Sequence, residues 1–118
     1  SPEMLAWLAQ NLGAAGKAAD GLREQLAEHV EQAYVGTTEE TRKGSCWAWS
    51  ELARNLTRDL NWPSRKAWAD KLRKAYAVPT VIGSLNVDEA LALGAALDHL
   101  QAGPSWDVLV SYMENRCG

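Results

Sequence analysis

The chain has no phenylalanine, and among its 118 residues only two cysteines, two histidines and four prolines. Two cysteines exclude a disulfide-dense scaffold and are too few for a zinc site, which usually takes four ligands. Cys46 and Cys117 have each other as the one available bridging partner. The expectation is two reduced, half-buried thiols in a cytoplasmic protein. His29 and His99 give no metal-spaced pair. His29 lies near the face of Leu22 and Leu26, which predicts a half-buried, satisfied side chain. Gly13-x-x-Gly16-Lys17 lacks both the spacing and the preceding strand of a phosphate loop. No stretch approaches the roughly 18 uncharged apolar residues of a membrane span. Glu3 and Gln10 interrupt any apolar run that would read as a signal peptide. These absences predict no catalytic residue, no metal, no cofactor and no membrane partner.

What remains is a composition of 47% apolar and 23% charged residues, ordinary for a soluble globular chain. The length predicts one domain over 1–118, burying roughly 65% of its unfolded surface. The net charge of −3 conceals a pattern. Residues 1–40 hold seven acids against two bases, and 75–118 hold five acids against Arg116 alone. Between them, 54–74 carries Arg54, Arg58, Arg65, Lys66, Lys71, Arg73 and Lys74 against Asp59 and Asp70. A basic island flanked by acidic segments can meet nucleic acid, or dock a protein of complementary charge.

Hydrophobic spacing is helical throughout. Ser1-Pro2 reads as a helix start, with Met4, Leu5, Leu8 and Leu12 on one face and Gly13 as the stop. Leu22, Leu26, Val30 and Tyr34 form a stripe ended by Gly36. Thr37 and Glu40 have the spacing of a capping box, and Gly44-Ser45 predicts a break. The clearest helix spans 47–60, with Trp49, Leu52, Ala53, Leu56 and Leu60 inward and Ser50, Glu51, Arg54, Asn55 and Arg58 outward. Asn61-Trp62-Pro63-Ser64 reads as a turn. Ser64 then caps a helix to residue 77, with Trp68, Leu72, Ala75 and Tyr76 inward. Val78 to Leu85 carries the one hint of a strand. Asn86 and Glu89 form a second capping box, opening a helix to about Ala102 that is apolar on most sides and therefore central. Gly94 within it permits close helix contact. A last helix over 105–116 turns Leu109, Tyr112 and Met113 inward. The sum is an all-α fold, a compact single-domain bundle of five to six helices with short loops.

Three local patterns bear on function. Gly44-Ser45-Cys46-Trp47-Ala48-Trp49-Ser50 resembles the nucleophile segment of papain-like cysteine proteases, which begins a helix at the reactive cysteine. The resemblance implies an activated thiol at a helix N-terminus. Lys43 departs from that family's pattern, which has a glycine there. The site also needs a histidine oriented by Asn or Asp and a strand-rich half to hold them. His29 precedes the cysteine and His99 falls inside a helix, so the expectation is a chain that is not an enzyme. Helices 47–60 and 64–77 together resemble a helix-turn-helix DNA reader, which implies a second helix whose basic residues meet phosphates and bases. Trp49-x-x-Leu52-Ala53-x-x-Leu56 resembles the second helix of death-fold adaptor domains, six-helix bundles that self-associate.

Six tryptophans are the least ordinary feature. Trp47 and Trp49 lie two apart, so a helix points them roughly 200° from each other and one must sit at an edge. Tryptophan is enriched at binding hot spots. The resulting expectation is a non-enzymatic helical interaction domain, an adaptor or regulatory module. It would dock another protein, or a second copy of itself, through Trp47 and Trp62 beside Arg65, Lys66, Arg73 and Lys74. Nucleic acid bound along helix 64–77 is the alternative.

Overall fold

Eight helices follow one another among the described residues, which are 1–14, 20–56, 62–100 and 105–117 of this computed structural model. They are α1 (Pro2–Ala14), α2 (Asp20–Val35), α3 (Glu39–Lys43), α4 (Cys46–Leu56), α5 (Trp62–Tyr76), α6 (Pro79–Ile82), α7 (Val87–His99) and α8 (Trp106–Cys117). No strand occurs among these residues. The all-α expectation holds, and the count exceeds six because two one-turn helices form, α3 next to the capping box expected at Thr37 and α6 within the stretch that carried the hint of a strand.

Both extra helices have local causes. Thr38, one residue later than expected, is the N-cap of α3: its hydroxyl accepts from the Thr41 amide at 3.2 Å. Thr37 is drawn away, donating to the Tyr34 carbonyl at 2.6 Å and accepting from Arg42 Nε at 2.9 Å. Val78–Leu85 is helical instead of extended, because Pro79 stands at the first helical position, where its fixed φ suits a helix and its missing N–H costs nothing. Helix α5 likewise begins at Trp62, with Pro63 in its first turn, so the start expected at Ser64 comes two residues earlier. Helix α1 runs through Gly13 to Ala14.

Helix α4 lies at the centre, packed chiefly against α1 on one side and α7 on the other. One hydrophobic core joins Ala6 and Ala9, Val30 and Tyr34, Trp49, Leu52 and Leu56, Trp68, Leu72 and Tyr76, Leu93 and Leu97, and Tyr112. Tyr34 organises its aromatic part, meeting Trp49 edge-on at 5.0 Å and Trp68 at 5.4 Å. The inward assignments of Trp49, Leu52, Ala53, Leu56, Trp68, Leu72 and Tyr76 match the structure. Leu60 lies outside the described residues.

Several sequence assignments are inverted. Ser50 and Glu51, expected outward, are buried, because α4 is enclosed on both sides. Glu51 is satisfied there by Arg54 at 2.7 Å and by Gln10 Nε2 at 3.0 Å. Helix α1 buries Ala6 and Ala9 and leaves Met4, Trp7 and Leu8 exposed, since the small side chains let it lie close to α4. Leu22 is exposed while neighbouring Arg23 is buried and reaches the Leu12 carbonyl at 3.4 Å. His29 is exposed, not half-buried. Met113 is exposed and Leu109 half-buried, with Val108 taking the inward position beside Tyr112.

Helix α7 begins as expected. Asn86 accepts from the Glu89 amide at 2.8 Å, and Glu89 Oε1 accepts from the Asn86 amide at 2.9 Å. Its central place rests partly on Gly94, where an added Cβ would meet Leu109 Cδ2 at 3.4 Å. Gly83 is tighter. A Cβ there would lie 2.9 Å from the Asn115 carbonyl oxygen, so only glycine lets α6 sit against α8 as it does.

Candidate docking surface

The feature from which a catalytic reading would start is Cys46, at the first position of α4. Its thiol is fully buried, 3.9 Å from Ser50 Oγ and 3.9 Å from the Glu89 carbonyl. Desolvation pushes it up to about 12, with the Ser50 hydroxyl lowering it and the Glu89 charge raising it further. A thiolate at a helix N-terminus needs exposure to attack anything, and here the opposite environment prevails. Cys46 is a free thiol; the side chain of Cys117 lies outside the described residues. Beside it, burial raises the Tyr76 phenol well above its ordinary range, and its hydroxyl donates to the Arg42 carbonyl at 2.6 Å. Among the described residues no group of three or more His, Cys, Asp or Glu is placed to hold a metal ion. No helix among them is long and apolar enough to cross a membrane.

Of the residues expected to bind a partner, Trp47 lines a hollow that Arg65, Lys66, Arg73 and Lys74 do not. Trp49 is buried and Trp47 is 37% exposed, so the pair points apart as their spacing requires. Trp47 does not face the basic helix, however. It lines a shallow hollow of about 590 Å³ with Glu3, Glu51, Asp88 and Glu89, where Arg54 is the one cation. The side chain of Trp62 lies outside the described residues, as does the 57–61 link of the expected helix-turn-helix. On α5, Lys66 and Lys74 are exposed, whereas Arg65 and Arg73 are half-buried. Arg73 Nη1 pairs with Asp107 at 3.3 Å, tying α5 to α8. Lys71 lies over the Trp68 ring at 4.6 Å. Of the basic island, Arg54 and Arg73 are thus engaged in ion pairs within the bundle.

The structure gathers exposed apolar side chains elsewhere, along α7 and α8. Val87, Leu91, Trp106, Leu109, Tyr112 and Met113 line a hollow of about 200 Å³ that is almost wholly apolar. Trp106 is 65% exposed and Met113 48%. The Tyr112 ring forms part of this wall, and its hydroxyl, buried, has no hydrogen-bond partner among the described residues. Leu91 lines both this hollow and the acidic one, so the two adjoin across α7. Single exposed apolar residues are normal on any protein, but a contiguous set rimmed by charge marks interaction surfaces.

The sequence reasoning missed this surface. Its signal was the second apolar stripe: Val87 and Leu91 at spacing four, and Trp106, Leu109 and Met113 at spacings of three and four. In helices that already bury Leu93 and Leu97, or Val108 and Tyr112, this is more apolar surface than one core can use. No protein-family model, curated protein or solved structure matches the chain significantly.

Proposed function

We propose that the chain is a non-enzymatic helical docking domain whose partner protein seats on the α7–α8 face. One observation carries the reading: five large apolar side chains, those of Trp47, Val87, Leu91, Trp106 and Met113, stay exposed around two adjoining hollows. The partner supplies apolar side chains to the hollow between α7 and α8, where the Tyr112 ring forms part of the wall. Against Trp47 it presents a cation, because carboxylates surround that ring and an ammonium or guanidinium gains from both. This keeps the tryptophan-bearing surface expected from sequence and reverses the charge beside it. Both a foreign protein and a second copy, with its own exposed lysines, fit that description.

The test uses two designed amphipathic helical peptides, one with leucines flanked by lysines and one with the same leucines flanked by glutamates. The lysine peptide should bind, the glutamate peptide should not, and Trp106→Ala should weaken the lysine complex whereas Tyr112→Phe, which keeps the ring in the wall, should leave it unchanged. Tyr112→Phe should leave the fold at least as stable, since it removes a buried hydroxyl that has no hydrogen-bond partner among the described residues. Equal binding of both peptides, or an unchanged affinity in Trp106→Ala, would refute the proposal. Nucleic acid remains the second reading, supported by the exposed Lys66 and Lys74 on α5.

A further inference from the structure

A third hollow, of about 380 Å³, lies between α3 and α5 and has the opposite electrostatics. Arg42 and Lys43 enter it from α3, Lys71 and Lys74 from α5, and Glu39 is the one carboxylate on its wall. None of the four cations makes an ion pair with a carboxylate among the described residues. In a chain with a net charge of −3, a concave site with four unpaired cations is an unusual concentration of positive charge.

Two of the cations are held in place. Arg42 donates from Nε to Thr37 Oγ1 at 2.9 Å and from Nη2 to the Thr37 carbonyl at 2.7 Å, with its guanidinium 4.8 Å from the Tyr34 ring centre. Lys71 Nζ lies 5.7 Å from the same ring and 4.6 Å from that of Trp68. The Tyr76 hydroxyl, donating to the Arg42 carbonyl, fixes α3 against α5. Lys43 and Lys74 are exposed arms on either side. A favourable interaction with the carbonyl ends of α3 and α5 accounts for basic residues in their last turns. It does not require the two helix ends to aim their cations into one hollow.

We propose that this hollow binds a small soluble molecule bearing a phosphoryl group. Phosphoryl oxygens suit a cluster of ammonium groups around one fixed guanidinium. The volume falls within the usual range for small-ligand sites. Ala75, Val78 and Val81 form an apolar stretch of wall, which fits a ligand with an uncharged body next to its phosphate. Convergence on a hollow distinguishes this site from a nucleic-acid track, where cations lie spread along the path of a backbone. The inference is independent of the docking face, because the two surfaces share no lining residue.

Calorimetric titration of the full chain with inorganic pyrophosphate and with phenyl phosphate tests it, with a short DNA duplex as the third arm. Both small probes should bind saturably at one site. Lys43→Gln/Lys74→Gln should weaken them by about tenfold, the sum of two partly exposed charge contacts. Glu39→Gln should tighten them, because it removes the one opposing charge from the wall, whereas a purely structural role for these cations predicts no change. The exposed positions of Glu39, Lys43 and Lys74 keep all variants folded, which circular dichroism checks. Absence of saturable binding, unchanged affinity in the double variant, or binding of the duplex without the small probes would each overturn the proposal.

Discussion

If Cys46 is an enclosed, neutral thiol, its alkylation by iodoacetamide measures the enclosure. The thiolate is the reacting species, so the rate follows its population. Burial moves the group from 9.0 to about 12. At pH 8 the unfolded chain therefore holds roughly one thiolate in ten molecules and the folded chain roughly one in ten thousand. Native protein should be alkylated about a thousandfold more slowly than protein in urea, before any steric shielding is counted. A Cys117→Ser background leaves one thiol, and mass spectrometry reads its modification with time. A native rate within tenfold of the unfolded rate would refute both the enclosure and the case against a nucleophile. The same burial sets the response to base. Cys46 and Tyr76 are both raised, so the folded chain keeps protons that the unfolded chain releases from about pH 9 and 10 upward. Stability is fully present below pH 9 and is lost as pH rises toward and beyond 12. The slope approaches about 1.4 kcal/mol per pH unit for each group engaged. Urea melts between pH 8 and 11 should show the fall, and Tyr76→Phe should reduce its slope above pH 10. A flat profile would contradict the burial of both groups.

Gly83→Ala should cost about 1–3 kcal/mol in urea unfolding, because its Cβ would press on the Asn115 backbone. Gly94→Ala should be neutral or stabilising: the nearest atom is the flexible end of Leu109, and alanine gains up to about 1 kcal/mol in a helix interior. Asn86→Ala removes one capping hydrogen bond outright and frees Glu89 from the other, at a cost of about 1 kcal/mol by the same measurement. Trp49→Ala should cost about 3–5 kcal/mol and remove much of the near-ultraviolet circular dichroism that the Tyr34–Trp49 edge contact produces.

The parts of the fold legible in the sequence are those where one physical rule acts alone. The apolar stripe of α4 named Trp49, Leu52, Ala53 and Leu56 as inward, although enclosure on both sides also buries Ser50 and Glu51. Asn86 and Glu89 sit at the spacing that two short hydrogen bonds require, and both bonds form. Reading failed where two rules compete. At α1, the large apolar residues dominate any count of hydrophobicity, yet close packing against α4 selects Ala6 and Ala9 because a smaller side chain allows a shorter helix separation. At α3, Thr37 and Thr38 both have capping chemistry, and Arg42 takes Thr37 for itself. At Pro79, a residue that breaks helices from within also starts them. The charges of the basic island were visible, but their partners were not. Arg73 reaches Asp107 across 34 positions of sequence, and Lys71 rests on an aromatic ring.

The exposed apolar residues show why a stripe and a site are different things. Helix α1 presents Met4, Trp7 and Leu8 exposed on one face, at spacings of three and four, and none of them lines the hollow beside Trp47 or the hollow between α7 and α8. A stripe with no facing wall gives an incoming side chain contacts on one side only, so burial there recovers little of the dispersion energy of a packed core. Helices α7 and α8 present stripes of similar composition, but they lie against each other with Leu109 set into the space left by Gly94. Their outward residues therefore face one another across a concavity. A side chain entering it is contacted by Leu91 and Met113 as well as by the Trp106 ring. It is desolvated on several sides, which is the condition under which single residues dominate binding. The glycine that brings the core of α7 against α8 thereby also shapes the surface above it. Substitutions that push α7 from α8 should accordingly weaken docking even where they touch no exposed residue. Gly94→Leu is the case in point: it should reduce affinity for the lysine-flanked peptide more than Leu91→Ala does.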